Sequence, residues 1–196
     1  MRTSSLLCAS ALILAACGSN DETAPPPAEA VATNSVAPGP TPTMGTPAAP
    51  TDALGYIAKA GAGDMWEIES SKALLAKSKN EAVRKFAEMM IDQHGKSTAK
   101  IEAAAAGANI AMPAPTLDAA QRTMLDEIKQ ADTPDIDALY VRHQRAAHEA
   151  ALALHKGYGE SGDTESLKTA ANEIVPVIEA HRAELDKLDA RNDDQP

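Results

Sequence analysis

Histidine and acidic side chains are the groups in this chain best suited to chemistry. At helical spacing of about 100° per residue, His94 and His181 each fall in the middle of an apolar stripe. Glu67 falls within the apolar face of an earlier segment. An unpaired carboxylate in such surroundings costs several kcal/mol or takes up a proton, so Glu67 needs a partner. Imidazoles and carboxylates that converge inside a helical bundle are how such folds build metal sites.

A third histidine has two candidates on one predicted helix. His143, His148 and His155 all lie off the charged face of their segment. Counted from the turn near Ser161, His181 is 20 residues away, His148 is 13 and His143 is 18. At about 1.5 Å per residue, His143 is nearer to His181 in height unless the helices are staggered. Both candidates therefore stay open.

The apolar periodicity and the capping residues indicate a helical protein. Helical patterns run over residues 53–78, 81–106, 136–158 and 164–190, with a short one near 117–131. Residues able to cap a helix precede each pattern, namely Asp52, Asn80, Thr116, Asp135 and Asp163. The segment 107–115 breaks the chain with glycine, asparagine and two prolines, and Pro176 should kink the last helix. The sequence predicts an all-α fold, a four-helix bundle of up-and-down character with one short extra helix.

Charge and motifs exclude several classes of function. Residues 54–196 hold 17 basic and 24 acidic residues, which argues against nucleic-acid binding because phosphates need clustered positive charge. Aromatic residues make up only 3% of the chain, too few for a β-sandwich or barrel. The sequence contains no Gly-x-Ser-x-Gly elbow and no Walker-type phosphate loop. No catalytic residue is assigned.

The N-terminus resembles the signal of a bacterial lipoprotein. Residues 1–16 combine Arg2 with a short apolar run, and residues 14–18 read Leu-Ala-Ala-Cys-Gly. We expect Cys17 to be acylated with fatty acids such as palmitate and to anchor the protein in a membrane. Because Gly18 is not the aspartate that retains such proteins in the inner membrane, we expect an outer-membrane lipoprotein facing the periplasm. The alternative is an ordinary signal peptide cleaved after Ala16.

Residues 17–52 read as a linker between the lipid anchor and a folded domain over residues 53–196. Eight of the 13 prolines fall between Pro25 and Pro50, among alanine, threonine and serine. A segment so poor in large apolar side chains cannot offset the entropy of ordering. We expect a semi-rigid tether. Cys8 leaves with the signal, so cysteine redox chemistry is excluded.

The helical part resembles the DUF4142 family, ferritin-like proteins of bacterial envelopes, over about residues 53–190. The similar stretches are 64–69, 83–94, 140–148 and 174–181. The resemblance implies that the polar positions of the family pattern are Glu67, His94, His148 and His181. Gln93 stands where the family usually has an aspartate directly before the histidine. The chain lacks the Glu-x-x-His pairs of di-iron proteins, which disfavours ferroxidase chemistry.

Two functions are compatible with these observations. In the first, the bundle binds one divalent metal ion through Glu67, His94 and His181 together with His148, or His143 in its place. Zinc, iron and copper all suit such a donor set. In the second, the protein is a non-enzymatic envelope lipoprotein that supports stress tolerance or binds a periplasmic partner, and its histidines only fill the core.

Overall fold

All regular secondary structure among the described residues is α-helical. The computed structural model describes residues 49–193, and side chains through residue 188. The five helices are α1 (Ala53–Leu75), α2 (Glu81–Gly107), α3 (Ala119–Gln130), α4 (Ile136–Ser161) and α5 (Glu165–Asp193). The predicted all-α class is confirmed, and every predicted boundary lies within three residues of the observed one. The predicted signal, Cys17 and all but the last four linker residues lie outside the described residues. None of these five helices has the length and apolar content that crossing a membrane requires.

The four long helices form a square bundle in which α1 is flanked by α2 and α4, and α5 by the same two helices. Helices that are adjacent in the bundle run antiparallel. Ser166, at the start of α5, donates a hydrogen bond to the carbonyl of Ala104 near the end of α2, at 2.8 Å. Tyr56, near the start of α1, contacts His155 near the end of α4 at 2.9 Å. The diagonal helices α2 and α4 therefore run in the same direction.

This connectivity corrects the simple up-and-down order that the sequence predicts. The helices run up, down, down and up, because the 28 residues between α2 and α4 are enough to cross the length of the bundle. That connection contains α3, which packs against α1 and α4. A four-helix bundle with one long crossover is the connectivity of ferritin-like folds.

Two apolar clusters occupy the two ends of the bundle. One cluster contains the buried residues Trp66, Phe86, Met90, Tyr140 and Leu185. The other contains Tyr56, Ile101, Tyr158, Leu167 and Ile178. On α2, α4 and α5 a buried histidine lies in sequence between the residues of the two clusters. The bundle thus has a polar layer at mid-height.

Side-chain caps define the starts of α1, α2 and α3. The Asp52 carboxylate accepts a hydrogen bond from the Gly55 amide, and the Asn80 side chain accepts from Ala82 and Val83, as predicted. The predicted cap at Thr116 is wrong. Asp118 caps α3 instead, because its pairing with Gln121 satisfies two backbone amides at once.

The starts of α4 and α5 differ from the prediction. Asp135 is the N-cap residue of α4, but its side chain makes no capping hydrogen bond. The carboxylate of Asp163 accepts from the hydroxyls of Tyr158 and Thr164, so it ties the α4–α5 turn together and does not cap α5. Pro176 lies inside α5 as predicted, and it is exposed.

Candidate metal centre

Three histidines from three helices meet in the polar layer. His94 of α2, His148 of α4 and His181 of α5 are 4%, 0% and 2% exposed. One ring nitrogen from each lies within 4.8 Å of the others. The ring centroids are 5.6, 5.4 and 5.2 Å apart. The closest approach is 3.1 Å, between Nε2 of His148 and Nδ1 of His181.

Hydrogen bonds on the outer sides of two of these rings decide which nitrogens are free. Nδ1 of His148 donates to the carbonyl of Gln144 at 2.8 Å, which leaves a lone pair on its Nε2. With the side-chain oxygen of Gln93 facing it at 2.8 Å, Nε2 of His181 donates to that oxygen, and this orientation of Gln93 leaves a lone pair on Nδ1 of His181. Two lone pairs then face each other at 3.1 Å. They repel unless a positive charge lies between them.

Both of these imidazoles are held in the neutral form that metal binding needs. Burial lowers the pKa of His148, against the opposing attraction of the Glu67 carboxylate. Burial, together with the neighbouring His94 and His148, lowers the pKa of His181 to about 3. At neutral pH neither ring carries a second proton.

His94 is held differently, because two carboxylates contact the same ring nitrogen. Its Nδ1 lies 2.8 Å from Oδ1 of Asp64 and 2.8 Å from Oε2 of Glu67. Burial alone would lower the pKa of His94, but these carboxylates outweigh it and raise the pKa to about 10. Its Nε2 is buried and makes no hydrogen bond. The surroundings therefore favour a positive charge on this ring, carried either by a proton or by a metal ion at Nε2.

The two carboxylates of α1 are buried and have different partners. The pKa of Glu67 is lowered, because His94 and His148 outweigh the burial that would raise it. Its Oε1 makes no hydrogen bond, although Nδ1 of His148 is 3.3 Å away. Burial raises the pKa of Asp64 against its hydrogen bond with His94, and Thr98 donates to its Oδ2 at 2.9 Å.

Asp64 is the member of the cluster that the sequence did not identify. The signal that could have found it is its spacing, since residues three apart share a helix face and Asp64 precedes Glu67 by three. Gln93 offers no carboxylate at the position where the family pattern has aspartate. Asp64 provides one to His94 from the neighbouring helix.

The structure brings Glu67, His94, His148 and His181 together and leaves His143 outside. Nε2 of His143 instead contacts Oε2 of Glu127 on α3, at 2.7 Å. The height argument favoured His143 because it neglected two effects. α5 begins only at Glu165, and side chains lean toward the N-terminus of their own helix. In antiparallel α4 and α5 those leans bring His148 and His181 to one level.

The donor set fits a transition-metal ion. Two imidazoles that bind one tetrahedral ion at about 2.0–2.1 Å place their ring centroids about 5 Å apart, close to the observed spacing. A second possible set, Asp64, Glu67 and His94, shares one histidine with the first. Binding there would require Nδ1 of His94 to give up its carboxylate hydrogen bonds. Buried histidine and acidic groups of this protein can thus hold a metal ion, and the three-histidine set is the better prepared.

Comparisons with known proteins agree with the fold. A family model described as "Domain of unknown function (DUF4142)" matches residues 38–188. Among solved structures, a DUF305 fragment from Deinococcus radiodurans is similar, with a TM-score of 0.62 and 14% sequence identity. The match covers 74% of this chain and 99% of the fragment, and at that identity it shows the fold alone. No curated protein matches the chain.

Proposed function

Because this chain belongs to the DUF4142 family, whose function is unknown, we propose its function from the geometry of the buried cluster. The protein binds one divalent transition-metal ion through the imidazoles of His94, His148 and His181. One observation carries this proposal. Ring nitrogens of three buried histidines converge. Their hydrogen bonds are made by the other ring nitrogens, so the lone pairs of Nε2 of His94, Nε2 of His148 and Nδ1 of His181 are free to bind a metal ion.

Glu67 and Asp64 complete the proposed site by holding Nδ1 of His94. A carboxylate on the other ring nitrogen of a ligating histidine fixes the orientation of the ring and makes it a stronger donor. The same carboxylates attract positive charge into an otherwise apolar core. Three imidazoles do not select one metal, and zinc, iron and copper all suit them.

The proposed location is the bacterial outer membrane, on its periplasmic side. Support comes from the sequence alone, through the lipoprotein-like motif that ends at Cys17 and the proline-rich linker of residues 17–52. A lipidated Cys17 would anchor the bundle, and the linker would hold it away from the bilayer.

A second candidate function has one observation in its favour. If the Gln93 amide is turned so that its nitrogen donates to Nε2 of His181, then Nδ1 of His181 can donate to His148. A chain of hydrogen bonds would then run from Gln93 to Gln144 without a metal. The histidines would be core residues of a non-enzymatic envelope lipoprotein that acts in stress tolerance or partner binding.

Metal analysis of protein purified without an affinity tag tests the proposal. Each sample is incubated with zinc, iron(II) or copper(II), dialysed and assayed for bound metal. We expect one equivalent in the wild type, none in His181→Ala, and one in the matched control His143→Ala, since His143 lies outside the cluster. Wild-type protein that keeps no metal after dialysis contradicts the proposal.

A further inference from the structure

A large cavity lies between α1 and α4, bordered by α3 and α5, with a volume of about 610 Å³. Small side chains border it, among them Ala58 of α1 and Ala146 and Ala150 of α4, and because these three residues are exposed the cavity opens to solvent along them. Met124 and Ile178 add apolar surface. Its size is typical of small-molecule sites, which run from about 300 to 1,000 Å³.

One side chain gives this apolar cavity a defined polar group. His155 lines the cavity and is 3% exposed. The hydroxyl of Tyr56 lies 2.9 Å from its Nδ1. Because Tyr56 is fully buried and has no other hydrogen-bond partner among the described residues, its hydrogen must go to Nδ1. The remaining ring proton of neutral His155 is therefore on Nε2.

The Nε2–H group of His155 has no partner of its own. It makes no hydrogen bond to any residue that the structure describes. Tyr56 cannot turn away from it easily, because its ring stacks on Tyr158 at a centroid distance of 4.0 Å and an angle of 12°. The cavity thus offers a fixed hydrogen-bond donor beside alanine and other apolar side chains, and polar residues such as Gln121 also line it.

We propose that this cavity binds an uncharged, mainly apolar molecule whose carbonyl-type oxygen accepts a hydrogen bond from Nε2–H of His155. The acidic residues Asp64, Glu67 and Asp118 also line the cavity and disfavour an anionic ligand. An ammonium group offers donors only, so it leaves the His155 donor unpaired. Both oxygens of Asp64 already accept hydrogen bonds.

This inference goes beyond metal binding and does not depend on it. His155 belongs to neither group of possible metal ligands, although Asp64, Glu67 and His94 of those groups also line the cavity. Ligand binding is therefore expected both in protein treated with EDTA and in protein loaded with metal. The two proposals can fail separately.

The single tryptophan provides a local signal for the test. Trp66 is the only tryptophan of the chain, and it lines the cavity. Titration with 4-phenylcyclohexanone, followed by tryptophan fluorescence and by calorimetry, should give saturable binding with one site. The matched compound 4-phenylcyclohexylamine, which carries an ammonium in place of the carbonyl, should bind at least tenfold more weakly.

Three variants with one matched control locate the binding. Ala150→Phe adds a ring at an exposed position of the cavity wall and should abolish ketone binding, whereas Ala103→Phe, exposed on α2 away from the cavity, should not. The double variant Tyr56→Phe/His155→Phe keeps aromatic bulk, removes the donor and should weaken ketone binding about tenfold. The single variant Tyr56→Phe, which keeps His155, should bind the ketone like the wild type.

Three results would overturn the inference. They are a wild type without saturable ketone binding, an amine that binds as tightly as the ketone, or an Ala150→Phe protein that binds like the wild type. A folded double variant with undiminished ketone affinity would also refute the assigned role of His155. Helical circular dichroism of every variant confirms that it is folded.

Discussion

Single residues decide the electrostatics of the polar layer, and His94 has the largest effect. Two buried carboxylates contact its Nδ1 while its Nε2 has no hydrogen-bond partner. A ring in these surroundings gains free energy from carrying a positive charge. A metal ion at Nε2 would supply the charge that a proton supplies in its absence. Metal binding should therefore release a proton from His94.

Replacing Asp64 by asparagine tests the carboxylate support. Asp64→Asn keeps the shape of the side chain but removes a charge that favours a cation on His94. We expect metal affinity to fall by about 10- to 100-fold, measured by competition with a chelating dye. Asp92→Asn, which alters only an exposed ion pair with Lys96, is the control and should bind like the wild type. Equal affinity in Asp64→Asn and wild type would exclude the support role.

The buried neutral histidines predict how stability depends on pH in metal-free protein. Burial lowers the pKa of His155 to about 4; Glu67 has a smaller opposing effect, and His94 adds a smaller lowering. A histidine with a lowered pKa binds more protons when unfolded, so its contribution is full above about pH 6.5 and is lost as the pH falls toward 4. His94, whose pKa is raised, changes stability only above about pH 6.5, so it does not interfere in this window.

Urea unfolding at pH 6.5, 5.5 and 4.5 measures this dependence. Each buried neutral histidine contributes a slope approaching about 1.4 kcal/mol per pH unit within the window. Tyr56→Phe/His155→Phe should remove one such contribution, whereas Asn80→Ala, which removes a cap but no titratable group, should leave the slope unchanged. A double variant with the wild-type slope would show that His155 is not held neutral by burial.

At the level of helices, the sequence predicted well which helices form and where each begins and ends, because apolar periodicity and caps are local properties. The height of a side chain along the bundle and the residue that it contacts on another helix are not local properties. His148 meets His181 only through the late start of α5 and the opposite leans of the two side chains. The Tyr56–His155 pair joins residues 99 positions apart. No spacing rule within one helix could have revealed that contact.

The caps of α2 and α4 provide a matched test at the same level. Asn80 accepts hydrogen bonds from two backbone amides, whereas the Asp135 side chain accepts none from its helix. Asn80→Ala should lower the free energy of unfolding by about 1 kcal/mol, and Asp135→Ala should change it by less than about 0.5 kcal/mol. Chemical denaturation at pH 7 compares the two. Equal losses would contradict the assigned difference between the caps.

Across the described bundle, two apolar ends enclose a polar layer, and the crossover through α3 sets the direction of the helices. The sequence predicted four helices and an extra short one, but not that α2 and α4 run the same way. That direction depends on how a 28-residue connection crosses the bundle, which helical periodicity does not encode. The buried Glu67 and histidines were predictable because polar residues interrupt apolar stripes.

Anchoring is a prediction about the full chain. Cys17→Ser removes the thiol that would be acylated, so we expect the protein to move from the membrane fraction to the soluble fraction while its helical part stays folded. Cell fractionation, labelling with radioactive palmitate and circular dichroism measure these outcomes. Fatty acid incorporated equally into Cys17→Ser and wild type would contradict the lipoprotein assignment.

Thermal unfolding of His94→Leu/His181→Leu, with metal and with EDTA, tests the metal site most directly. If the histidines hold a metal, the variant loses ligands and leaves the buried Glu67 carboxylate without compensation. Its Tm should then lie below that of the wild type in metal-containing buffer, and EDTA should lower the Tm of the wild type only. If the histidines only fill the core, the variant is still less stable, because Asp64 and Glu67 lose their contact with His94, but the Tm of the wild type should be the same with metal and with EDTA. A wild-type Tm that is the same with metal and with EDTA would contradict the metal site.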